Sequence, residues 1–466
     1  MGFTTLAFVL IVPLIVIAYY ICPDRMRPVF LLLISLLFGY SFLPGVLLPL
    51  CIISIVTYAL GIMLGRIRNK KPVLITGIVL ILLMMIFSRS NYTFWPAIGV
   101  SYYSLQAISY LADIYKGTLQ AETNLIYFSL YISFFPRFLS GPIERAEDFL
   151  PQIREVRKIP SYEMLKRASV IILWGYFEKL VVADHASMIV TEIFDTYQTQ
   201  HGYILIVGAV LYAIQLYADF DGYSNIALGI AALFGFQITN NFRRPYFAVS
   251  ISEFWHRWHI SLSNWLRDYI YIPLGGNRKG KIRQYLNLLI TFGISGIWHG
   301  SGMKYLVWGI LHAFYQIMGK VLKPCRNKIR NMFHITENNF MIRTFQCLGV
   351  FMLVDFAWIF FRASSLHEAL GYLYYTVVNF IPDVAVNYNI MRLNIDTSIY
   401  ITLISGIAIL LAGDLLRGKC GSVIAVLSKQ SIVIRWGIYL LIVGLIMCSV
   451  LQRYGMDTSG FLYAQF

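Results

Sequence analysis

Residues 254–302 read FWHRWHISLSNWLRDYIYIPLGGNRKGKIRQYLNLLITFGISGIWHGSG, setting three histidines, a basic loop and four tryptophans into an otherwise apolar chain. At helical spacing, Trp255, Trp258, Leu262, Trp265 and Tyr269 fall on one face and His256, His259, Ser263 and Arg267 on another. The spacing predicts one amphipathic helix over residues 254–271, too charged to span lipid. After the loop GGNRKGK at 275–281, a mostly apolar helix is expected from Arg283 to His299. With the basic loop on the cytoplasmic face, sixteen residues at about 1.5 Å each lift His299 roughly 24 Å along the helix axis. That depth lies past the middle of a hydrocarbon core about 30 Å thick, where an ionisable side chain is costly and marks function by default.

Working outward, the 466 residues are 58% hydrophobic and only 13% charged, the composition of a polytopic membrane protein. The formal charge of +15 sits in short loops between apolar runs, as membrane topology requires, so a nucleic-acid partner is set aside. The six cysteines are scattered without a CxxC pair, which gives neither a disulfide framework nor a zinc knuckle. The first apolar run starts at once from Met1 without a basic region before it, so it reads as a retained span. Apolar spans are expected near 3–21, 29–44, 46–64, 73–87, 94–115, 168–182, 203–218, 283–299, 303–322, 345–361, 399–416 and 432–451, about twelve crossings. Basic loops between them, including 323–330 and 417–435, place both termini outside the cytoplasm of a multi-pass plasma-membrane protein.

Residues 124–141 contain Pro136 and Arg137 and read as a re-entrant element rather than a crossing. A basic amphipathic stretch is expected over 154–167. DFDGYS at 219–224 interrupts the apolar pattern, so a half-length helix to Phe236 is expected there, with Asp219 and Asp221 capping it in preference to the alternative of holding a cation. The glycines at 293, 296, 300 and 302 would let a substrate chain approach the backbone closely. His299 fits a general base, a neutral buried imidazole able to take a proton from a hydroxyl; a structural histidine donating to a carbonyl is the alternative. His259 fits a second polar group in the same cavity. Two histidines at i and i+3 with His299 invite a zinc reading, but there is no HExxH and no carboxylate at ligand spacing, so no metal is expected. His312, thirteen residues past His299, reads equally as a packed, hydrogen-bonded histidine or a reactive one and is left outside the site.

The chain resembles the membrane-bound O-acyltransferase (MBOAT) superfamily, in the branch of the bacterial alginate O-acetylation membrane subunit. Four blocks carry the resemblance: GVSYYSLQAISY at 99–110, SFFPRFLSGPIER at 133–145, residues 219–278 and SGIWHG at 295–300. It implies one all-α integral-membrane domain over 1–466, with N-terminal spans at 1–120, a core at 124–322, C-terminal spans at 341–452 and a tail motif at 461–466. Some 11–12 transmembrane helices, with re-entrant and amphipathic ones, would surround a central tunnel. It also implies catalysis by His299, with His259 in the tunnel, and transfer of an acyl group, most simply acetyl, from a cytoplasmic thioester such as acetyl-CoA or a loaded carrier protein. The implied acceptor is an exported or cell-surface polysaccharide, reached through an extracytoplasmic partner such as an SGNH-type acetyltransferase.

The tail FLYAQF resembles an FxYxxF-type motif, which would make Tyr463 an acyl relay. D-alanyl transfer from a carrier protein to teichoic acid is the rival within the same superfamily. A lipid or glycan transporter using the same cavity is the rival from another class.

Overall fold

The computed structural model describes residues 2–89, 99–137, 141–156, 158–334, 339–380, 393, 395–420 and 423–453, and Tyr463 lies outside them. The described residues form helices and loops, with no strand among them. Contacts group the chain into two compact units, Met1–Tyr176 with Gly222–Asn240, and Phe177–Asp221 with Asn241–Ser459.

The first unit holds α1 (Leu6–Ile21), α2 (Arg27–Phe42), α3 (Leu47–Arg66), α4 (Lys70–Ser88), α5 (Val100–Lys116), α6 (Leu125–Ser133), α7 (Ala146–Arg154) and α8 (Tyr162–Tyr176). Its outer helices turn apolar side chains outward, with Leu6, Leu14 and Ile86 exposed, as a lipid solvent demands. Helix α5 is instead buried on nearly every side, and this shelter lets it carry Ser101, Ser104, Gln106, Ser109 and Asp113 among its apolar residues. A Cβ at Gly61 would lie 2.6 Å from the Tyr110 ring and one at Gly77 2.7 Å from Leu111, so these two glycines set how closely α3 and α4 approach α5. The nine residues of α6 cannot cross a bilayer, in keeping with the re-entrant reading. Behind it, Arg137 is buried with its guanidinium 4.2 Å over the Phe149 ring, and the nearby Glu144 accepts a hydrogen bond from Thr239 N. Within the basic stretch at 154–167, α7 ends at Arg154 and α8 begins at Tyr162, with Pro160 between them.

The second unit holds a π-helical turn (Phe177–Ala183), α9 (Asp184–Asp195) and the 202–221 part of α10 (Gly202–Leu233). After these come α11 (Ile251–Arg257), α12 (Ile260–Leu266), a second π-helical turn (Arg267–Tyr271), α13 (Lys281–His299), α14 (Met303–Val321) and α15 (Lys323–Met332). The last are α16 (Phe340–Arg362), α17 (Leu366–Val378), α18 (Thr397–Cys420), α19 (Val423–Ser428) and α20 (Ile432–Gln452).

The interruption expected at DFDGYS does not occur, because α10 runs through it. Asp219 and Asp221 are not caps: Lys179 Nζ lies 2.5 Å from Asp219, and Arg417 lies 3.6 Å from Asp221. Basic side chains from other elements meet both carboxylates, which is what allows them to stay buried inside an apolar helix. Lys179 also reaches Asp184 at 3.0 Å, Arg453 pairs with Asp184, and Tyr217 donates to Asp414 at 3.1 Å. The segment expected as a loop at 323–330 is likewise helix, since Pro324 falls in the first turn, where its missing N–H costs nothing, and no breaker follows.

Among the described residues seven helical segments are long and apolar enough to span a membrane: Asp24–Phe42, Pro44–Arg66, Lys70–Ser88, Gly202–Leu233, Phe340–Arg362, Thr397–Cys420 and Ile432–Gln452. Leu6–Ile21 is a shorter apolar helix. The other expected crossings, near 94–115, 168–182, 283–299 and 303–322, are present as α5, α8, α13 and α14 but fall short of that length or hydropathy. The protein is an all-α polytopic membrane protein.

Candidate active site

The site is built where the expected long amphipathic helix breaks. Helix α11 starts in a reciprocal cap: Glu253 N donates to Ser250 Oγ at 3.1 Å, and the Glu253 carboxylate accepts from Val249 N at 2.8 Å. It stops at Arg257, and His259 takes a left-handed conformation, φ 42° and ψ 57°, before α12 begins. A non-glycine residue is strained there and must be held by its surroundings. The segment after α10 supplies the hold: Ile260 N donates to Asn241 O at 3.0 Å, Ser261 N to Asn241 Oδ1 at 3.1 Å, and Arg243 N to Arg257 O at 2.9 Å.

The break separates the two histidines expected on one face. His256 is exposed, its Nδ1 2.6 Å from Ser252 O, whereas His259 is only 1% exposed. The ring of His259 meets Phe220 edge-on at 4.7 Å and Trp298 at 6.3 Å between centroids. His259 lies in a turn outside the spanning segments, and burial pushes its imidazole down to about 3.

His299 is the last residue of α13 and is buried. Its ring contacts Trp298 at 4.7 Å, Trp308 at 5.1 Å and Phe361 at 5.2 Å. Trp298 therefore touches both histidines. Two of the four glycines of this segment, Gly296 and Gly300, do different work from that expected. A Cβ at Gly296 would sit 2.2 Å from the Tyr305 carbonyl, and one at Gly300 2.0 Å from the Tyr305 ring. These glycines seat α14 against α13, leaving that backbone face to a protein neighbour. Gly309 does the same from the other side, 2.2 Å from Phe292 O.

This close hairpin brings in residues that the sequence reading left out. His312 is fully buried, its Nδ1 accepting a 3.3 Å hydrogen bond from Trp255 Nε1. Its ring lies 5.0 Å from Trp308, which therefore stands between His299 and His312 as Trp298 stands between His259 and His299. Trp358 stacks on Trp308 at 5.7 Å and 20°. A polar residue one helix further on, facing a glycine-sealed contact, was the available signal. Among the described residues no cluster of three or more His, Cys, Asp or Glu could hold a metal ion.

The protein is a polytopic helical membrane protein whose site sets buried histidines among tryptophans. The model of the membrane-bound O-acyltransferase family matches residues 120–361, the segment that contains His259, His299 and His312. A "Probable alginate O-acetylase AlgI" of Pseudomonas fluorescens is 32% identical over 382 residues, covering 80% of this chain and 74% of that protein. A "Peptidoglycan O-acetyltransferase" of Helicobacter pylori is 32% identical over 301 residues, covering 59% of this chain and 56% of that protein. A "Teichoic acid D-alanyltransferase" of Streptococcus thermophilus is 32% identical over 230 residues, covering 46% and 54%. The chain belongs to the membrane-bound O-acyltransferase family, and it is an O-acyltransferase of the membrane.

Proposed function

We propose that this enzyme moves an acetyl group from a cytoplasmic thioester to a hydroxyl of an exported or cell-surface polysaccharide. The observation that carries this reading is His299, an imidazole buried at the end of α13 inside a shell of aromatic rings. Such a site excludes water, which would otherwise hydrolyse the donor. His299 acts as general base: it accepts the proton of the attacking hydroxyl as the oxygen bonds to the acyl carbon. The carbon–sulfur bond then breaks, and the imidazolium returns the proton to the thiolate. His259, neutral through burial, serves as a polar group of the same tunnel.

The donor in this reading is acetyl-CoA. Acetyl is favoured because the relatives named for alginate and peptidoglycan O-acetylation align over more of this chain than the one named for D-alanyl transfer. Tyr463 relays the group to an extracytoplasmic SGNH-type acetyltransferase, which acts on the glycan. Both termini lie outside the cytoplasm of a plasma-membrane protein, by the count of basic loops.

The test is peptide mass analysis of purified protein after incubation with acetyl-CoA, comparing wild type with His299→Ala. An acetyl adduct on Tyr463 that disappears in the variant supports donor, base and relay together. No adduct from acetyl-CoA, with labelling by a D-alanyl-loaded carrier protein, moves the assignment to D-alanyl transfer.

A further inference from the structure

Helix α15, Lys323–Met332, carries Lys323, Arg326, Lys328 and Arg330 and no acidic residue in the sequence KPCRNKIRNM. At about 100° per residue, Leu322, Cys325, Ile329, Met332 and Phe333 gather on one arc about 100° wide, and the four cations lie outside it. In a water-soluble protein that arc would be covered by the core. Here Ile329 is 48% exposed, Met332 63% and Phe333 64%. The helix follows α14 directly and precedes α16, which is long and apolar enough to span the membrane. Val321 and Leu322, which join α14 to α15, are also exposed, so the apolar surface of α14 runs directly into the arc. Arg326 turns back to the last turn of α14, donating to Gly319 O at 2.8 Å, which ties the start of α15 to that helix end.

We infer that α15 lies in the plane of the bilayer surface, with its apolar arc in the acyl boundary and its cations on anionic phospholipid headgroups. The shape of the helix and its surroundings favour lipid over a soluble acidic protein. A protein partner would need only the cations, whereas the exposed arc, continuous with the exposed end of α14, needs an apolar phase. Each cation near an anionic surface strengthens binding about fivefold, so the four act together as an electrostatic clamp on a helix whose apolar contacts alone are few.

The test uses full-length protein in nanodiscs, with Cys22, Cys51, Cys347, Cys420 and Cys448 replaced by serine and the exposed Cys325 carrying an environment-sensitive fluorophore. Discs of phosphatidylcholine alone are compared with discs containing phosphatidylglycerol. The expected result is a blue shift and protection from aqueous quencher in the anionic discs, reversed by high salt. K323Q/R326Q/K328Q/R330Q should keep the emission of phosphatidylcholine discs at phosphatidylglycerol fractions that shift the wild type, since about fivefold in helix partition per charge removed is about 600-fold for the four. I329N/M332N, which keeps every cation, should lose the shift while the protein stays folded by size exclusion. Equal emission in the two lipids overturns the inference. A shift that appears only when an acidic carrier protein is added, and in neither type of disc, overturns it too.

Discussion

Two regions of the second unit bury polar groups in opposite ways. Around Asp184 and Asp219, each carboxylate meets a cation, Lys179 or Arg453, delivered by a separate element. Around His259 and His299, the neighbours are rings: Phe220, Trp298, Trp308 and Phe361. A matched set of charges is suited to fixing helices against each other, because loss of one partner strands the other in a low dielectric. An imidazole walled by aromatics is suited to proton transfer, because imidazole can take up and release a proton near neutral pH while the rings keep water away. The difference separates what builds the fold from what the chemistry requires.

The sharpest way to break this division is to exchange the expected consequences. His299→Ala should lower the single-turnover rate of acyl transfer by up to about 10⁴-fold, about 5.5 kcal/mol of barrier, with the protein still folded in detergent. Retained transfer would remove His299 from the chemistry. Asp219→Asn should do the reverse, costing about 3–5 kcal/mol of stability by leaving Lys179 short of a partner. Its turnover per folded molecule should remain near that of wild type, and the paired change Lys179→Met with Asp219→Leu should recover most of the thermal stability. If Asp219→Asn instead abolished turnover in fully folded protein, the ion cluster would belong to the catalytic machinery.

The spans were legible because a lipid solvent writes itself into long apolar runs: α2, α3, α4, α16, α18 and α20 all fall where hydropathy puts them. The site was legible in part. His299 stood out as an ionisable end to an apolar helix, and its burial follows. What periodicity could not report was the left-handed residue at His259, since the break depends on Asn241, some eighteen residues earlier, capturing two backbone N–H groups. The same limit hid the course of α10: two aspartates look like an end to a helix until their cations, supplied by Lys179 and Arg417, are in place. Tertiary partners decided both cases.

The glycines of the α13–α14 hairpin sharpen the comparison at a smaller scale. Gly296→Ala would place a methyl 2.2 Å from a backbone carbonyl, an atom that cannot swing aside as a side-chain tip can. The expected cost is about 1–3 kcal/mol from overpacking. Because the displaced segment carries His299 and Trp308, turnover should fall together with thermal stability, unlike either variant above. Gly293→Ala is the control, since its Cβ would meet only ordinary contacts at 3.8 Å and should leave both quantities nearly unchanged.

The smallest expected effect comes from the titration of His259. Its folded-state pKa is about 3, against about 6.5 for an unperturbed histidine. Above pH 6.5 neither the folded nor the unfolded state binds the proton, so the group makes no pH-dependent contribution. Between 6.5 and 3 the unfolded chain binds a proton that the folded protein refuses, so stability falls with falling pH by up to about 1.4 kcal/mol per unit. At pH 5 the loss is about 2 kcal/mol. His259→Gln removes the titrating group, so thermal unfolding of the variant should depend less on pH than that of wild type from 6.5 down to 5, and the two profiles should run parallel from 7 upward. Parallel profiles over the whole range would mean that His259 is charged or hydrated in the folded protein, and the aromatic wall would then no longer distinguish this region from the ion cluster.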